Sequence, residues 1–315
     1  MSDEIAIPAP PRPPSRARRI VAFPLTLMLL AILIFLAVAM LAGTLLHQFP
    51  AHPNSPWLLA NAAFLILCLL AAFWPFFRYV EREPTGLFAR RGWAKELLAG
   101  IAGGAAIFSI VVAISAAFGN YHVTGGSGLE TIWEPLAGGA LIAGFTEELL
   151  FRGILFRYIE KVAGSWIALA LTAALFGAAH LPNTGATWFS SLAIAVEAGI
   201  LLGAVYMLTR HLWAAMGLHA AWNFTQGWIF GLPVSGGHGG TGLLNGRLTG
   251  PEWLTGGAFG LEASVPAVIV ATTAGVAILA VAVRRGRLVQ PMWSRSRVSA
   301  PADALPAGRS HTSPR

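Results

Sequence analysis

Cysteine and charge are both scarce in this sequence. A single cysteine, Cys68, lies inside an apolar run in a chain of 315 residues. One thiol excludes an internal disulfide framework, cannot make a metal site by itself and leaves no dithiol for redox chemistry. Charged residues make up only 11% of the chain, hydrophobic residues make up 56%, and mean hydropathy is +0.65. A soluble domain of this length has no use for so much apolar material, so composition points to a polytopic membrane protein. The net charge of +7 raises the question of nucleic acid, and the placement of the basic residues answers it.

Eight apolar segments are long enough to cross a bilayer, whose hydrocarbon core of about 30 Å takes about 20 helical residues. They fall at 20–47, 57–80, 96–118, 132–158, 164–182, 187–208, 212–231 and 263–283. Lys and Arg collect at alternate ends of these segments. All of the 21 except Arg247 lie in the N-terminal tail, at 78–95, from Arg152 to Lys161, at Arg210 or in the C-terminal tail. The connections at 48–56, 119–131 and 183–186 hold none. The positive-inside rule then puts both termini in the cytoplasm, and no nucleic-acid partner is needed to explain the basic pI. The expected fold is an all-α membrane helix bundle of eight transmembrane helices, with the lipid bilayer as its partner and a bacterial plasma membrane as its location.

The tails 1–19 and 284–315 are rich in Pro, Ser and Arg and read as disordered. A basic start followed by an apolar run has the elements of a signal peptide, but the run of about 28 residues is too long for a cleaved one. It reads as an uncleaved first span, opening an N-terminal group of helices over 20–127. A core follows over 128–231. The Gly/Pro-rich segment 232–262 reads as external coil that partly covers the membrane core, with Trp253 and Phe259 anchored near the interface. The last span is 263–283. Gly100 with Gly104, and Gly199 with Gly203, read as sites of close helix packing.

The stretch GFTEELLFRG, residues 144–153, places three charges inside an apolar segment. An ionised side chain at mid-bilayer costs roughly 2.5–3.5 kcal/mol, so such groups face the bundle interior and pair. Glu148 and Arg152 are four apart with the acid first, the favourable order for a helical ion pair. Glu147 lies about 100° around the helix and need not share that arginine. A carboxylate left unpaired in a dry interior is pushed toward the range of a general base. Phe176 and His180 share a face of the fifth segment, and His219 and Asn223 share a face of the seventh. Measured from the basic ends at about 1.5 Å per residue, Glu147 lies about 16 Å deep, His180 about 24 Å and His219 about 11 Å. Each residue also has a structural reading: a lone membrane histidine or asparagine commonly bridges helices, and the Glu148–Arg152 pair satisfies itself. Glu197, in the sixth segment, reads equally as a protonated helix-to-helix hydrogen bonder or as an accessory site group.

The ordered set EExxxR, FxxxH and HxxxN, each on its own apolar segment, resembles the CPBP family of intramembrane proteases. That family includes the CAAX prenyl endopeptidases and Abi-type proteins linked to bacteriocin processing and immunity. The matching residues are Glu147, Glu148 and Arg152 in EELLFR, Phe176 and His180 in FGAAH, and His219 and Asn223 in HAAWN. The resemblance covers residues 130 to 231. It implies an endopeptidase acting on a membrane-associated protein or peptide, on the cytoplasmic side if the cavity opens as in the prenyl endopeptidases. Glu147 would activate a water, His180 and His219 would orient it, and Asn223 would hold the water or stabilise the oxyanion. Arg152 would pair with Glu148 and fix the helix, with Phe176 in support. His180, His219 and Glu147 also match a catalytic Zn2+ ligand set with water as fourth ligand. The metal-free glutamate mechanism is the favoured one of the two. Two other classes of function fit parts of the sequence: a proton-coupled membrane transporter using Glu147, Glu197 and the histidines, and a non-catalytic immunity or binding protein.

Overall fold

The computed structural model describes residues 20–49, 52, 55–82 and 86–295. The tail expected at 1–19 and the portion of the C-terminal tail from 296 onward lie outside the described residues. The chain forms helix α1 (Pro24–His47), α2 (Trp57–Pro75, continuing as a π-helical turn Phe76–Glu81) and α3 (Trp93–Ala117). One helical run, Leu129–Ala179, follows. It is broken at Gly164, whose φ of 81° and ψ of 169° no helix contains. The break divides it into α4 (135–163) and α5 (165–179). Then come α6 (Trp188–Thr209), α7 (213–229) and α8 (Val265–Arg284).

The fold is an all-α membrane bundle, and among the described residues six helices are long and apolar enough to cross a bilayer, the run Leu129–Ala179 counted as one. Helix α7 falls outside that set. Its 12 α-helical and 5 π-helical residues are too few, and they carry His219, Asn223 and Gln226. Packing ranks the helices: the apolar window of α6 is 61% buried, against 22% for α1 and 17% for α2. The central helix is therefore α6, and α1 and α2 turn most of their surface to lipid.

Glycines set the closest crossings. A Cβ at Gly100 or Gly104 of α3 would overlap the carbonyls of Ala214 or Leu218, and one at Gly217 of α7 would overlap that of Leu97. The α3 and α7 backbones thus touch directly next to His219. Gly199 packs against Ala173 of α5, and Gly203 against the Leu169 side chain.

Two expectations for the connections need correction. The segment 232–262 is not coil alone: its strand β2 (Gly246–Leu248) pairs antiparallel with β1 (Tyr121–Val123). Phe259 is not an interface anchor either. It is buried with Phe151, Phe176 and Ile194, because the loop folds inward at Leu261–Ala263. Trp253 does remain exposed. The first part of the C-terminal tail is also ordered, since Val289 exchanges two hydrogen bonds with Ser165 at the start of α5 and Met292–Arg295 forms a short helix.

Candidate active site

In α4 an α-helical turn, Gly144–Glu148, lies between two π-helical stretches, Pro135–Ala143 and Leu149–Phe156. Such wide turns are frequent at functional sites because they re-aim side chains. Gly144 lets α4 approach α7, since a Cβ there would meet Ala220 at 3.0 Å. The two acids are thereby brought against His219.

Glu148 is fully buried. Its Oε1 accepts from Arg152 Nη1 at 2.8 Å and lies 2.9 Å from His219 Nδ1. Arg152 therefore does not exhaust Glu148, which also fixes the imidazole of α7. The arginine donates further to the carbonyls of Ala198 (3.2 Å) and Gly199 (3.4 Å) on α6, and its guanidinium sits 4.7 Å over the Phe176 ring. Phe176 in turn packs 4.9 Å from the His180 ring and 6.0 Å from that of His219. One buried arginine thus ties together α4, α5 and α6.

The hydrogen bonds also assign the tautomers. His180 Nδ1 is 2.7 Å from the Phe176 carbonyl, which can only accept, so Nδ1 carries the proton. The Glu148 carboxylate likewise takes the Nδ1 proton of His219. A neutral ring then presents Nε2 as a lone pair, and His219 Nε2 lies 3.9 Å from Glu147 Oε2. That oxygen is inaccessible to solvent and has no hydrogen-bond partner among the described residues. The Glu147 side chain as a whole is 31% exposed, so the dry surroundings expected for it are replaced by an open cavity. Asn223 donates one amide hydrogen to the Gly139 carbonyl at 2.9 Å, which leaves its second for a ligand.

Glu147, His180, His219 and Asn223 share one cavity of about 890 Å³. Convergence on one cavity agrees with depths counted from the helix ends once helix tilt absorbs their spread of about 13 Å.

A small cavity of about 30 Å³ lies beside the histidines, lined by Phe176, His180, His219, Asn223, Glu197 and Glu262 among others. Glu197 is completely buried, and neither of its oxygens has a hydrogen-bond partner among the described residues. It is therefore not a helix-to-helix hydrogen bonder and stands beside the site. Glu262, just before α8, was not foreseen because the sequence marks it only as the end of a loop. It accepts from the Ser235 amide and the Gln226 side chain. Burial pushes its carboxyl up to about 8.

Among the described residues no three His, Cys, Asp or Glu side chains are grouped to hold one ion, so no step is derived through zinc.

Fold and site together define a polytopic membrane protein with an acid, two imidazoles and a carboxamide converging inside the bundle. Residues 129–225, which carry these four groups together with Glu148, Arg152 and Phe176, match the family model described as type II CAAX prenyl endopeptidase Rce1-like. The match covers roughly a third of the chain, and this segment is similar to that endopeptidase family. No curated protein and no solved structure matches the chain.

Proposed function

We propose that this protein is an intramembrane endopeptidase of a bacterial plasma membrane, which cleaves a membrane-associated protein or peptide with a water activated by Glu147. One observation carries the reading: the unpartnered Oε2 of Glu147 faces Nε2 of an imidazole whose other nitrogen is fixed by Glu148. Once the partly exposed Glu147 side chain turns this oxygen to the cavity, a water between the two atoms gives them its two hydrogens and turns a lone pair outward. His180, its Nδ1 held by the Phe176 carbonyl, lines the same cavity.

The chemistry follows from these roles. As the water oxygen bonds to the peptide carbonyl carbon, its proton passes to Glu147. The carbonyl oxygen becomes an oxyanion that accepts the free amide hydrogen of Asn223. When the carbon–nitrogen bond breaks, the proton held by Glu147 goes to the departing amine. Glu148 and Arg152 keep the His219 ring in its tautomer throughout.

The test compares peptide termini in membranes from cells carrying wild-type protein or Glu147→Ala at equal expression. Termini present only with the wild type are expected. Identical termini, with both proteins folded and present, would remove the endopeptidase reading in favour of transport or binding. Chelation is expected to leave the rate unchanged, and loss of activity restored by added zinc would overturn the metal-free chemistry.

A further inference from the structure

The walls of the catalytic cavity come from the connections at one end of the bundle. Its floor is Glu147, His180 and His219, and its rim is built by Glu134 before α4, Thr184 between α5 and α6, and His238 and Thr241 between α7 and α8. Glu134, His238 and Thr241 are exposed, so the cavity reaches solvent at this end. The connections here, 119–131, 183–186 and 232–262, hold a single basic residue, Arg247. At the opposite end lie Arg82, Arg90, Arg91, Arg157, Lys161 and Arg210. Cytoplasmic loops carry the excess of Lys and Arg, so the mouth faces away from the cytoplasm.

The lining also restricts what enters. It includes no Leu, Ile, Phe, Met or Trp, and its apolar side chains are confined to Ala143, Val234, Pro135 and Pro182. A site for an isoprenoid or acyl chain needs predominantly apolar and aromatic walls. Here the walls are glycine, serine, threonine and asparagine, which suit the amides of an extended backbone. The only carboxylates lining the cavity are Glu134 and Glu147, and no Lys or Arg lines it, so an uncharged or basic segment is favoured over an acidic one.

We propose that the cavity opens on the non-cytoplasmic face and receives from that side a polypeptide segment that carries no lipid chain. The substrate half of this proposal rests on the endopeptidase reading, whereas the orientation half does not. It departs from the cytoplasmic attack that the resemblance to prenyl endopeptidases implied.

Two experiments test it. Cys68 is the only cysteine, so Cys68→Ala gives a background in which Thr241→Cys marks the rim and Arg90→Cys marks the opposite end. In intact cells a membrane-impermeant maleimide is expected to label Thr241→Cys about tenfold faster or more than Arg90→Cys, with the two equal after permeabilisation. Faster labelling of Arg90→Cys would overturn the orientation. The full-length protein in proteoliposomes is then given a mixed library of unmodified peptides and the same library bearing a farnesyl thioether. Glu147-dependent cleavage of the unmodified library, at a rate at least equal to the lipidated one, supports the substrate half. A preference of about tenfold for the lipidated library would overturn it. Cleavage of neither library would remove the endopeptidase reading and the substrate half with it, while the labelling still decides the orientation.

Discussion

Two of the buried carboxylates that meet arginine in this protein are finished differently. Glu81, at the end of α2, takes both Arg157 guanidinium nitrogens at 2.5 and 2.8 Å, the Tyr158 hydroxyl at 3.0 Å and Lys161 at 2.9 Å. Arg157 also donates to the Gly153 carbonyl and lies over the Phe77 ring. Both oxygens of that acid are fully engaged. In the Glu147, Glu148 and Arg152 group, by contrast, Glu147 Oε2, Glu148 Oε2 and Arg152 Nε have no hydrogen-bond partner among the described residues. A saturated cluster is a fastening between helices, whereas spare polar atoms beside a cavity are capacity for a ligand. The contrast distinguishes a saturated charge cluster from the one proposed to act, without reference to any family.

Substitutions can break that contrast at either end. Glu147→Gln keeps the shape of the site and removes the base, so the rate of hydrolysis should fall by about 10³ while thermal stability is unchanged. A matching loss of stability would mean that the group is a fastening after all. Glu81→Gln should do the reverse. It leaves Arg157 short of its main partner at a cost of roughly 3–5 kcal/mol, seen as a lowered unfolding midpoint in detergent, with the rate of the surviving folded fraction near wild type. Asn223→Ala tests the next largest effect: removing an oxyanion donor should lower kcat by about 10² with little change in KM. An equal change in KM alone would reassign Asn223 to binding.

The smallest expected effect is in pH dependence. Burial raises the Glu262 carboxyl from its ordinary 4.5 to about 8 in the folded state. The folded protein therefore holds this proton more tightly than the unfolded chain does. The contribution is fully present below about pH 4.5 and is lost as pH rises through about 8. Unfolding midpoints measured across that window should decline, and Glu262→Gln should flatten the decline. An unchanged slope in Glu262→Gln would assign the pH dependence to other groups.

The helices and the motif residues were legible in the sequence because each depends on local spacing. Apolar runs located the long helices, although α7 falls short of a crossing length, and i, i+4 pairs marked Glu148 with Arg152, Phe176 with His180, and His219 with Asn223. What was not legible depends on tertiary contact. Arg157 and Lys161 looked like topology signals only, since their partner Glu81 is some eighty residues earlier. Glu262 looked like part of a polar loop, since nothing local shows that the loop turns inward. The second partner of Glu148 belongs to another helix, so no spacing within α4 could reveal it.

The break at Gly164 has a consequence for how the site is kept in alignment. Arg152 stands twelve residues before Gly164, and the ring it covers, Phe176, stands twelve after it. Glu148 and His180 are likewise equidistant, at sixteen residues on either side. The chain is therefore folded like a strip creased at its midpoint, so that the Arg152 guanidinium and the Phe176 ring come level. Adding or removing one residue in a single arm would shift its far end by about 1.5 Å and turn it by about 100°. Length on the two sides of that glycine is thus as tightly constrained as residue identity at the site.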